Sequence, residues 1–87
     1  MRYAVEIDTK AAREIRALPR PEQRRVIAKV EALADNPRPA GCVKLSGAPK
    51  LWRIRSGVYR IVYQIQDQRL VVTIVRVGHR REVYRGL

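Results

Sequence analysis

A chain of 87 residues makes one small domain, burying roughly 60–65% of its unfolded surface around a single modest core. Its 46% hydrophobic and 31% charged content excludes a disordered tail, and the longest apolar stretch, Leu70–Val77, is far shorter than the ~20 residues of a membrane helix. Nineteen basic residues against eight acidic ones give +11, and fifteen of the nineteen are arginine, which favours a polyanionic partner and, through the planar guanidinium, phosphate.

Arg2–Ile7 alternates in hydropathy and predicts a short strand with Tyr3, Val5 and Ile7 on one face. The N-terminus meets charge at once, unlike a secretory signal, so a cytoplasmic protein is expected. Asp8 and Thr9 are good N-caps for a helix in which Ala12, Ile15 and Leu18 share a side, ended by Pro19. Pro21 and Glu22 suit the first turn of a second helix, whose Val26, Ile27, Val30 and Leu33 form one apolar stripe. Asn36-Pro37 stops it, and Pro37–Gly41 reads as a loop. Cys42 is the only cysteine and His79 the only histidine, so neither an internal disulfide nor a Cys/His zinc site is expected, and no cofactor is called for.

Leu51–Arg55, Val58–Gln66 and Arg69–Val77 are β-rich runs separated by Ser56-Gly57 and Asp67-Gln68, both short enough for hairpins. The third run is apolar at nearly every position, as for a strand covered on both faces. The expected fold is α+β: an N-terminal strand and a helical hairpin packed on a four-stranded, mainly antiparallel sheet in a single domain, 1–87.

Parity places the arginines. With Ser56-Gly57 as a two-residue turn, Arg55 pairs with Val58, Ile54 with Tyr59 and Arg53 with Arg60. One face then holds Trp52, Ile54, Tyr59, Ile61 and Tyr63 as core, and the other holds Arg53, Arg55 and Arg60. An odd-length loop would scramble the apolar face, so the pattern selects the even one. Between Asp35 and Asp67 there is no acid, while Arg38, Lys44, Lys50, Arg53, Arg55 and Arg60 all fall there. Like charges opposite each other across a ladder are destabilising, which suggests an anion to reconcile them. The last strand ends near Val58, so Gly78 and the segment after it should leave the sheet beside this patch, bringing His79, Arg80, Arg81 and Tyr84 toward it. Cations with proton donors and acceptors suit phosphodiester chemistry. In the absence of carboxylate pairs or a glycine-rich phosphate loop, the remaining route is RNA cleavage by its own 2′-hydroxyl.

The runs Lys44–Gly47, Leu51–Tyr63 (with Tyr59-Arg60-Ile61-Val62-Tyr63) and Val75–Tyr84 (with Val77-Gly78-His79-Arg80) resemble the RelE branch of the RelE/ParE toxin superfamily, and the likeness spans nearly the whole chain. The resemblance implies the toxin of a type II toxin–antitoxin pair that enters the ribosomal A site and cleaves messenger RNA, leaving a 2′,3′-cyclic phosphate. It implies a RelB-like antitoxin, the ribosome and mRNA as partners, no membrane, and DNA only indirectly through the antitoxin complex. By this analogy Tyr84 helps deprotonate the 2′-hydroxyl, Arg80 assists the leaving 5′-oxygen, Arg60 holds the scissile phosphate, and Arg53 and Arg55 stabilise charge. Lys44, Lys50, Arg76, His79 and Arg81 are the expected RNA and phosphate contacts. Well-studied members carry lysines where this chain has Arg53 and Arg55, and adjacency leaves the acid role to Arg80 or Arg81. Two rival readings are a ParE-like inhibitor of DNA gyrase and a non-catalytic basic module that binds nucleic acid.

Overall fold

The computed structural model describes residues 2–47 and 50–79. Strand β1 (Ala4–Ile7) leads into helices α1 (Thr9–Arg16) and α2 (Arg20–Ala32), followed by β2 (Val43–Lys44), β3 (Leu51–Ser56), β4 (Tyr59–Gln66) and β5 (Val71–His79). The sheet order is β1-β5-β4-β3-β2, with β1 parallel to β5 and the other neighbours antiparallel. The α+β, mainly antiparallel expectation holds, but the sheet has five strands rather than four. The extra strand, β2, has two residues inside a Pro- and Gly-containing stretch, too few to show a period. Among the described residues no helix is long and apolar enough to cross a membrane.

Asp8 caps α1, its carboxylate accepting from the Thr9 N–H at 3.1 Å. The buried stripe of α1 is Ala11 and Ile15, with Ala12 and Leu18 half-buried, so the apolar side is centred one residue earlier than periodicity suggests. In α2 Val26, Val30 and Leu33 are buried as expected, and Pro21 sits in the first turn. These residues cover the sheet face bearing Ile54, Ile61, Tyr63, Ile65, Val72, Ile74 and Val77.

Two connections differ from expectation. The β3–β4 turn is Gly57-Val58, so Ser56 pairs with Tyr59, Arg55 with Arg60 and Ile54 with Ile61. Gly57 has φ +60° and Val58 does not, the arrangement of a type II′ turn, whose twist matches a hairpin. The shift is by two in pair sum, so every side chain stays on its expected face. Between β4 and β5 the chain needs Asp67–Leu70, not two residues, with Leu70 at φ 54° and its N–H on the Asp67 carbonyl at 3.3 Å. β5 is also not covered on both faces: Val72, Ile74 and Val77 are buried, while Val71, Thr73 and Val75 are half-buried.

A β-bulge sets the far end of β5. Val62 pairs with Arg76 but Tyr63 pairs with Ile74, leaving Val75 as the extra residue. Without it, strict alternation would turn Arg76 to the same side as Val72 and Ile74. With it, Val77 returns to the core and Arg76 faces the side away from the helices.

The 36–41 loop is tied to this framework by polar contacts. Buried Tyr63 donates its hydroxyl to the Pro37 carbonyl at 2.8 Å. Arg38 grips Asp67 with two hydrogen bonds of 3.0 and 2.9 Å, lies over the Trp52 ring at 5.1 Å, and shares Asp67 with the Tyr3 hydroxyl at 2.7 Å. Arg38, then Tyr3, hold the Asp67 carboxyl down at about 2. A depressed carboxylate adds stability that is complete above its unfolded value near ~3.9 and fades as pH falls through the folded one. Asp67→Asn should therefore be less stable than the parent at pH 6, with the gap closing between about pH 4 and 2. Urea unfolding across that range measures it, and a gap independent of pH would refute the assignment.

Candidate nucleic-acid interface

The sheet face away from the helices carries the arginines. Arg55 stands directly opposite Arg60, and Arg53 lies two residues before Arg55 on the same face, opposite Val62. This is the grouping read from parity, reached through a turn one residue further along. Arg55 is exposed, and Arg53 and Arg60 are half-buried. Opposite Arg60 on its other side is Gly78, which carries no side chain. A recess of about 210 Å³ at the turn is lined by Arg55, Gly57, Val58, Tyr59 and Arg60, several times the ~30 Å³ share of a liquid water.

Val62 is fully buried although it faces away from the helices, with Arg53 and Arg76 across from it and Arg60 and Gln64 two residues either side. Arginine stems can cover such an apolar floor while their charged heads reach past it. The Nε–H of Arg53 is buried with no hydrogen-bond partner. Such a donor costs about 1–3 kcal/mol unless an acceptor reaches it, so it suits an anionic oxygen.

Among the described residues one acid reaches this part of the molecule, from α1. The Glu14 carboxylate accepts from Arg76 Nε at 3.2–3.3 Å, lies 3.1 Å from Arg76 Nη2, and accepts from the Val77 backbone N–H at 2.9 Å. β1 pairs with β5 only as far as Ile74, so Glu14 takes over the edge of β5 where β1 stops. Sequence reasoning missed it, because a lone glutamate on an amphipathic helix carries no signal of a partner 62 residues away. Arg76 is thus matched to a carboxylate, a poorer candidate for phosphate than Arg55.

The other expected contacts separate. His79 does not join the arginine patch: β5 runs on to His79, which pairs with Tyr59 on the helix-bearing face, the rings edge-on at 5.9 Å and 88°. Strand alternation, not a loop, sets its side. Lys44 pairs with Trp52 and so takes the opposite side from Arg53. Lys50 precedes β3 at the end remote from the turn, five residues or about 16 Å of strand from Arg55. Arg80, Arg81 and Tyr84 lie outside the described residues. Among the described residues no three His, Cys, Asp or Glu side chains gather as a metal site would require.

Comparison with known proteins places this arrangement in a family. The family model described as ParE toxin of type II toxin–antitoxin system, parDE, matches residues 5–84. The mRNA interferase toxin RelE of Escherichia coli is 35% identical over 88 residues, covering 97% of this chain and 92% of that one. Toxin RelG of Mycobacterium tuberculosis is 34% identical over 89 residues, covering 98% and 99%. Among solved structures, the archaeal RelE–RelB complex from Pyrococcus horikoshii superposes with a TM-score of 0.82 at 28% identity, covering 93% of this chain and 98% of that one. The chain belongs to the RelE/ParE superfamily of type II toxin–antitoxin toxins. Its relatives at this level of identity carry RelE names.

Proposed function

We propose that this protein is an endoribonuclease toxin that cleaves messenger RNA in the ribosomal A site. The observation that carries the reading is the Arg55–Arg60 cross-strand pair with Arg53 on the same face. Cations grouped on one face favour an anion that builds charge between them, and a phosphodiester in its transition state is such an anion. The name mRNA interferase borne by the E. coli relative supports the same chemistry.

In the proposed step the RNA 2′-oxygen attacks the adjacent phosphorus as its proton leaves. The P–O5′ bond breaks, giving a 2′,3′-cyclic phosphate and a 5′-hydroxyl that takes up a proton. Arg60 grips the scissile phosphate, and Arg53 and Arg55 stabilise the charge that builds on it. Tyr84 takes the 2′ proton, and Arg80, or its neighbour Arg81, supports the leaving oxygen. Such a site has no strong base of its own, which agrees with dependence on the ribosome. A single domain over 1–87, acting in the cytoplasm and restrained by a RelB-like antitoxin, completes the proposal. Structures of relatives solved with RelB support that partner.

The test is translation of a defined message with purified protein, with and without ribosomes, and cleavage sites mapped by primer extension. Cuts inside A-site codons that require ribosomes and vanish in Tyr84→Phe are expected. An intact message with normal translation would refute the reading. The ParE description of the matching family model favours gyrase as the second target, to be assayed by DNA supercoiling.

A further inference from the structure

Beyond the recess at the turn, a second and larger cleft of about 530 Å³ opens along the edge of β3. Its size falls within the ~300–1,000 Å³ of sites that take small ligands. The shortness of β2 creates it. β2 covers β3 only at Trp52 and Arg53, and continuing that register would set Gly41 opposite Arg55. Gly41 instead has φ +89°, the Cys42 N–H closes a turn onto the Pro39 carbonyl at 3.1 Å, and the chain bends away. On the other side α2 supplies a wall through Lys29, Ala32 and Leu33.

Three features define a ligand. The Leu45 N–H donates to the Leu51 carbonyl at 2.9 Å, so odd-numbered residues of β3 turn their backbone N–H and C=O toward this edge. Among the described residues no strand pairs with those of Arg55. A donor beside an acceptor on a bare strand edge matches the Watson–Crick edge of a nucleobase. Next, Leu33, Pro39, Ala40 and Ile54 give the cleft apolar walls, of the kind that sandwich a base taken out of its stack. Finally, the charged residues of the lining, Lys29, Arg53 and Arg55, are all basic, and the buried Arg53 Nε–H has no acceptor. Arg55 also lines the recess that holds Arg60, so a phosphate seated there brings its own nucleotide to the cleft.

We propose that the cleft takes the base of the nucleotide adjoining the scissile phosphate, unstacked from a single RNA strand and held edge-on by the Arg55 backbone. The inference rests on the reading that an RNA phosphate lies at Arg55 and Arg60. Lys29 meets the phosphate on the other side of that nucleotide, and Arg53 Nε donates to an oxygen of its sugar–phosphate link. Cations on both walls provide for a phosphate on each side of one base, which an RNA chain has and a nucleoside monophosphate lacks. Because every base carries a donor beside an acceptor, the cleft recognises an unpaired base without choosing among the four.

The probe is a fluorescein-labelled pentamer of 2′-fluoro RNA, which has no 2′-hydroxyl to attack, compared with the same pentamer lacking its bases. Each is titrated into the full chain at physiological salt, with Kd from anisotropy and amide shifts from NMR. The base-bearing pentamer should bind about tenfold more tightly and should alone move the Arg55 amide. Filling the cleft by Ala32→Phe, or independently by Ala40→Phe, should shrink that difference below about twofold, with thermal unfolding showing each variant folded. Equal binding of the two pentamers, an unmoved Arg55 amide, or a difference that survives both folded variants would overturn the proposal. Adenosine monophosphate moving the Arg55 amide with a Kd as low as the pentamer's would overturn it too, in favour of a free nucleotide. If neither pentamer binds, the cleft assignment falls, and message cleavage, assayed separately, decides whether the nuclease reading stands. Base-independent binding leaves that reading untouched.

Discussion

Arg60→Ala should slow message cleavage by about 10²–10³-fold, the usual effect of deleting one preorganised group from a developing oxyanion. The same change should leave the fold intact, because Arg60 stands on the sheet face away from the core, opposite Arg55. Arg60→Lys keeps the charge but loses the planar fork that binds two oxygens, and an intermediate loss of roughly tenfold is expected. Single-turnover cleavage on purified ribosomes, paired with thermal unfolding of each variant, separates the two effects. Cleavage by Arg60→Ala within about threefold of the parent would remove Arg60 from the reacting centre. Unchanged activity in Tyr84→Phe would move the proton acceptor elsewhere without touching the phosphate site.

Glu14→Ala should be the most destabilising single change outside the apolar core. Its carboxylate serves the Arg76 guanidinium and the Val77 amide, with the Glu14 and Arg76 side chains only 23% and 12% exposed. Hydrogen bonds to a charged group contribute about 1.5–3 kcal/mol each, not additively, and a half-buried cation that loses its carboxylate adds to the cost. A loss of about 2–4 kcal/mol is expected, roughly 10–25 °C in Tm for a domain of this size. Glu14→Gln keeps the shape and one acceptor oxygen, and should lose about half as much. Urea unfolding decides it: a Glu14→Ala loss below ~0.5 kcal/mol would make the contact a surface pair like most others.

How far the sequence was legible follows the range of the interactions. The helical hairpin, the core strands and the arginine face were readable because each rests on a local period, and because Trp52, Ile54, Ile61 and Tyr63 tolerate only one parity. Parity alone puts the turn one residue early, since Ser56-Gly57 and Gly57-Val58 both satisfy it and only the positive φ of Gly57 chooses. β2 escaped notice because its pairing is determined by β3, not by its own two residues. Glu14 and Arg76 met through the end of β1 and the bulge, two features that appear only once the sheet is assembled. His79 would join the arginines if Gly78 broke the strand, but Gly78 continues it.

The extra residue at Val75 uncouples the protein's charge map from the residue count of β5. Deleting Val75 would set Arg76 and Val77 directly after Ile74 with their present partners Val62 and Ile61, so a regular ladder would form with both faces unchanged. Flattening the bulge with Val75 retained would do the opposite: Arg76 would turn toward the core beneath the helices, and Val77 would come out among the arginines. A lineage carrying this gene can therefore lose that one codon and keep its arginine face, because the codon adds a residue without adding a rung.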